Sequence, residues 1–176
     1  MPTAKTKRGS ATKSARRAGA DSSSSDPRPL GGYAKLLTVY GVVAGALAVA
    51  LRKQAPGLQQ LDAMDLALYG LATEHLSRLI TKDSVTSVLR APFTEFKEAA
   101  GEGEVNEDVV GHGTRHAIGE LLTCPFCSAQ WVATALVAGR VAAPNLTRAI
   151  VSVSAAARLS DYLQLLYAFC REHVDS

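Results

Sequence analysis

A chain of 176 residues has room for one domain and a tail, and its net charge of +3 is unevenly placed. Residues 1–30 carry seven Lys/Arg against Asp21 and Asp26, whereas the other 146 residues carry twelve basic and fourteen acidic side chains. That distribution excludes a basic nucleic-acid face on the body, and three cysteines are too few for a disulfide-stapled secreted domain.

Residues 1–30 contain almost no large apolar side chains, so they predict a disordered basic tail. Its charge suits attraction to anionic membrane lipid, and nucleic acid is not an expected partner. Residues 33–51, YAKLLTVYGVVAGALAVAL, hold one charge, Lys35, in nineteen residues. At ~1.5 Å per residue they reach across a ~30 Å hydrocarbon layer, so they predict a retained transmembrane helix. Gly41 and Gly45 form a GxxxG pair, which permits close helix approach.

A polar turn around Pro56-Gly57 leads to a second apolar helix, predicted from about Asp62 to Ile80. Glu74, His75 and Arg78 lie inside it, and the i, i+4 spacing lets Glu74 and Arg78 pair. Residues 81–117 predict a polar loop. Arg90-Ala91-Pro92-Phe93 breaks any helix, the acidic stretch from Glu95 to Asp108 carries two glycines, and helical character returns at Arg115.

Residues 121–139, LLTCPFCSAQWVATALVAG, form a second charge-free run of nineteen. Pro125 suits the first position of a helix, which sets Cys124 at the N-cap and Cys127 inside the first turn. After Pro144 a last helix is predicted from about Leu146 to Cys170, capped by Asn145. Its Arg158 and Asp161 are spaced to neutralise one another.

The blocks LITKDSVTSVLRAPF, GEGEV and RHAIGELLTCPFCSAQW, over roughly residues 62–168, resemble a family of small bacterial membrane proteins of unknown function that includes the YjcA-like sporulation proteins. The resemblance is carried by Asp83, Arg90-Ala91-Pro92-Phe93, Gly119-Glu120-Leu121-Leu122, Cys124-Pro125-Phe126-Cys127 and Trp131. It implies an integral membrane protein and supplies no reaction. His112 and His116 lie outside the pattern.

Three readings of the cysteine pair stay open. CPFC is also an active-site sequence of glutaredoxin-like proteins, which suggests dithiol chemistry, although no strands and no βαβ pattern are expected around it. Cys124 and Cys127 with His112 and His116 have zinc-ligand spacing, and zinc is the one cofactor the sequence suggests. The bland reading packs the thiols as small apolar groups, pairs Glu120 with Arg90 or Arg115, and sets Trp131 at a membrane interface. No phosphate loop, nucleophile elbow or dinucleotide fingerprint is present.

The expectation is an all-α bundle of about four transmembrane helices, residues 31–176, behind a disordered tail. It lies in the bacterial cytoplasmic membrane with the N-terminus inside. The expected role is a non-enzymatic scaffold or accessory subunit for a protein partner or a second copy. The alternative is a thiol-redox or zinc-binding membrane protein.

Overall fold

A computed structural model describes residues 29–53, 61–101 and 103–174. The tail and the Pro56-Gly57 turn lie outside the described residues. The chain runs α1 (Leu30–Lys53), α2 (Ala63–Thr81), α3 (Ser87–Arg90), β1 (Thr94–Gly101), β2 (Glu104–Val109), α4 (Thr114–Thr123), α5 (Pro125–Ala142) and α6 (Pro144–Val174).

The apolar runs became helices close to where the pattern sets them. Asp62 caps α2 by accepting from the Asp65 amide at 2.7 Å, which satisfies a donor the helix leaves unpaired. The last helix is longer than expected. It begins at Pro144, whose missing N–H costs nothing in a first turn, so Asn145 lies within the helix instead of capping it.

Helices α2, α5 and α6 pack together around Ala72, Leu136 and Val151. Asp65 meets Arg140 at 3.2 Å, so the start of α2 lies by the end of α5 and the two are antiparallel. Glu74 of α2 meets Arg158 of α6, and both helices start at the same end. Close approach has small-residue causes: a Cβ on Gly139 of α5 would lie 2.5 Å from Thr147 Oγ1 of α6. Helix α1 joins this group through Tyr40, whose ring stands edge-on to Trp131 at 5.1 Å.

One expectation needs correction, and a second is met only in part. The fold is mostly helical but not all-α, because residues 94–109 form an antiparallel hairpin within the stretch expected to be loop. Its turn uses Gly103 at φ 77°, a conformation glycine adopts without steric cost. The register shifts between Phe96 and Glu98 and between Ala99 and Gly101, which explains why no clean two-residue alternation is readable. Secondly, among the described residues only α1 is by itself long and apolar enough to cross a membrane. The run 121–139 is not one straight element, since α4 and α5 meet at an 85° bend at Cys124.

Candidate functional site

The hairpin, α3 and α4 form a cap on one end of the helices, and a single arginine holds the cap together. Arg90 is fully buried and uses all five of its N–H donors. Its Nε donates to Glu107 Oε2 at 2.8 Å and Nη2 to Glu107 Oε1 at 3.2 Å. Nη1 donates to the Ile80 carbonyl and the Thr86 hydroxyl, both at 2.7 Å, and Nη2 to the Asp83 carbonyl at 3.0 Å. One side chain thus ties the end of α2, the turn after it and β2 to α3.

Glu107 is equally enclosed, with 3% of its side chain exposed. Ser87 and Thr94 donate hydroxyls to it, the latter at 2.9 Å. Burial pushes its carboxyl up, but the hydrogen bonds from Arg90, Ser87 and Thr94, with the arginine's charge, outweigh that and hold it below the ordinary carboxylate value. Sequence reasoning missed Glu107. The available signal was its place between Val105 and Val109 on one face of a strand.

Asp83 is a turn residue: its carboxylate accepts from the Val85 amide at 2.7 Å, and it bridges to Glu104. Helix α4 docks on the hairpin through Gly119, where a Cβ would lie 2.4 Å from Val109 Cγ1 and 3.0 Å from the Phe93 carbonyl. Arg115 donates twice to the Pro92 carbonyl, at 3.0 and 2.6 Å. The expected Glu120–Arg90 or Glu120–Arg115 pair is therefore overturned, because both arginines are committed elsewhere. Glu120 instead accepts from the Tyr33 hydroxyl of α1 and lies 3.5 Å from His116 Nε2.

At the bend, Cys124 caps α5 as the spacing predicts, its Sγ accepting from the Cys127 amide at 3.2 Å. All three cysteines are free thiols. Cys124, Cys127 and Glu120 border one cavity of about 480 Å³, closed on the α1 side by Tyr33 and Leu36. This brings two thiols and a carboxylate to one place. It does not assemble the four expected zinc ligands: among the described residues, no three His, Cys, Asp or Glu groups are gathered to hold a metal. His112 is exposed ahead of α4, and His116 faces Glu120.

The hairpin beside this corner is two-stranded, so strands exist where none were expected, yet they pair with each other and not around CPFC. Trp131 sits nearly two turns into α5, packed on Tyr40, whose hydroxyl bonds Thr134 at 3.0 Å and accepts from Gln130 at 2.6 Å. A second polar constellation runs along α2. Arg78 pairs with Glu104 at 2.6 Å and lies 4.0 Å from Glu74, Glu74 pairs with Arg158, and Arg158 lies 3.3 Å from Asp161. Each short-range pair is present, but the stronger contacts cross between elements.

The family described as "Protein of unknown function (DUF1360)" matches residues 68–167, from the middle of α2 to near the end of α6. The chain belongs to that family. The match contains the whole cap, the Cys124 bend, all of α5 and most of α2 and α6, and leaves α1 outside. The chain is also similar to "Sporulation protein YjcA" of Bacillus subtilis (strain 168), with 31% identity over 109 residues, 60% of this chain and 92% of the relative. No solved structure matches it.

Proposed function

We propose that this is a multi-pass protein of the bacterial cytoplasmic membrane that acts as a non-enzymatic scaffold or accessory subunit, with α1, α2, α5 and α6 in the bilayer. The observation that carries the reading is an inverted distribution of side chains. Leu37 and Val42 of α1 are 72% and 66% exposed, and Leu163, Leu165, Leu166 and Phe169 of α6 are all more than half exposed. The buried positions of these helices are mostly small or polar instead, among them Ala72, Ser77, Ser154 and Ala155, with Leu136 and Val151 the large exceptions. A water-soluble bundle hides its leucines, whereas helices that associate in lipid turn them outward and pack on small residues.

The antiparallel order brings the start of α1, the hairpin cap and the end of α6 to one end. The positive-inside rule applied to the basic tail assigns that end to the cytoplasm. The cap is then the surface offered to a protein partner. Extraction of membranes with alkaline carbonate tests the reading. The protein stays with the pellet if the exposed leucines face lipid, and its release to the supernatant would sink the proposal.

The cavity at the bend favours one second reading, a thiol function of Cys124 and Cys127 with Glu120 beside them, either in dithiol exchange or as part of a zinc site completed by other groups. Alkylation of native membranes at pH 7, together with elemental analysis of the purified protein, tests it. Labelling as slow as that of a buried thiol, with no metal present, removes both forms of this reading.

A further inference from the structure

The end of the bundle opposite the cap holds a cavity of about 530 Å³ where the start of α2 meets the turn between α5 and α6. Asp65, Tyr69, Arg140, Arg148 and Ser152 supply its polar wall, and Leu68 and Val151 part of its apolar remainder. Arg140 is three-quarters buried, reaches Asp65 at 3.2 Å and lies over the Tyr69 ring at 5.9 Å from its centroid. Asp65 is thereby neutralised. Arg148 lines the same cavity, is exposed, and has neither an ion pair nor a hydrogen bond to a described side chain. The cavity wall therefore carries one positive charge beyond its internal pair, along with two hydroxyl groups. Helices α5 and α6 are separated by Ala143 alone, so the cavity lies at the mouth of a tight turn and not along a helix face.

We infer that this cavity binds a phosphate ester, the phosphate of an anionic phospholipid headgroup. A guanidinium fork matches phosphate oxygens, Ser152 and Tyr69 can donate to the same group, and the apolar remainder suits the glycerol and first methylenes of an acyl chain. The position is appropriate to that source, because a turn joining two membrane helices lies at headgroup depth. The lipid as source rests on the membrane reading above. The phosphate chemistry does not.

The test uses the full chain purified in a neutral detergent, titrated separately with short-chain phosphatidylglycerol, short-chain phosphatidylcholine and glycerol 3-phosphate. Phosphatidylglycerol should bind in preference to phosphatidylcholine, and Arg148→Gln should weaken it about ten-fold, as loss of a charge-assisted bond to phosphate does. The Arg148 side chain bonds no described side chain, so this variant should fold as the parent does. Arg52→Gln removes an exposed charge from the same end of α1 and should leave binding within about two-fold. Equal affinity for glycerol 3-phosphate with the same Arg148 dependence would sustain the phosphate site while assigning it to a soluble ester and overturning the lipid. No preference between the two lipids would overturn the site, since apolar contact alone would then explain the binding, and an equal loss in Arg52→Gln would overturn it because diffuse charge would then suffice. Carbonate extraction of Arg148→Gln, retained in the pellet as the parent is, keeps the outcome separate from the membrane reading.

Discussion

Replacing Glu107 with leucine should open the cap more than any other single change in the hairpin. The substitution leaves the Arg90 guanidinium, whose side chain is 1% exposed, with only the Ile80 and Asp83 carbonyls and the Thr86 hydroxyl. It also strands the Ser87 and Thr94 hydroxyls. Removing one partner of a buried pair costs ~3–5 kcal/mol because the other charge remains without compensation. Arg90→Met should cost a similar amount, since it leaves Glu107 charged and takes the donors from two buried carbonyls. The double variant removes both charges, so its cost should fall short of the sum by ~2–3 kcal/mol. Native-state hydrogen exchange at the Val105 and Val110 amides reads this directly, because they bond Lys82 and Phe93 carbonyls across the cap. Acid gives an independent check. The folded carboxyl of Glu107 lies below its unfolded value, so its contribution is complete above the ordinary ~4.3 and is lost as pH falls through the lower folded pKa. The advantage of the parent over Glu107→Leu should therefore shrink only on the acid side. Strictly additive single variants, or a Glu107→Leu cost below ~1 kcal/mol, would refute the view that this pair locks the cap.

Gly119→Ala should destabilise the protein by ~1–3 kcal/mol in thermal melts, because its Cβ would collide with Val109 and the Phe93 carbonyl, while Gly41→Ala, with nothing within 4 Å, should be neutral or better. Tyr40→Leu should raise acrylamide quenching of Trp131, the only tryptophan, as α1 loses its edge-on ring contact and its bonds to Thr134 and Gln130. Unchanged quenching would mean that α1 does not rest on α5. Glu74→Ala should cost ~1–3 kcal/mol in detergent unfolding, since Arg158, only 15% exposed, would keep Asp161 and the Tyr162 ring but lose its shortest carboxylate contact. Arg78→Ala should cost less, because the Arg78–Glu104 pair is over a quarter exposed on both sides.

The helices were legible because their signals are local and long. A nineteen-residue run with a single charge, a capping aspartate at 62 and Pro125 after Cys124 each determine backbone conformation within a few positions, and all fall where the pattern sets them. The hairpin was not legible for a matching reason. Its first strand, TEFKEAAG, has weak strand formers apart from Thr94 and Phe96 and exposes every residue after Thr94, so neither propensity nor alternation marks it. What stabilises it is long-range: Glu107 reaches back seventeen residues to Arg90, and Gly119 receives Val109 from the far side of a turn. The 85° bend illustrates the limit of counting apolar residues. Leucines 121 and 122 extend the charge-free run in sequence, but Pro125 lacks the N–H that would continue α4, so the run is divided between two helices.

The residues that carry the family resemblance can now be sorted by what they do in the fold. Arg90 locks the cap, and Pro92 turns the chain and offers its carbonyl to Arg115. Gly119 lets α4 lie on the hairpin, and Cys124 with Pro125 starts α5 at its steep angle. Each is a joint between elements, and a joint requires no reaction to explain it. Glu120 and Cys127 are different, since neither is spent on closing the corner: one accepts from α1 and the other lies exposed beside the same cavity. If these proteins share a chemical activity, it belongs to those two side chains with Cys124. If they share only a shape, substituting Glu120 and Cys127 together while keeping Cys124 and Pro125 should leave the bend, the cap and the protein's role in the cell intact. That double variant separates the two readings, because it removes the chemistry and preserves the joints.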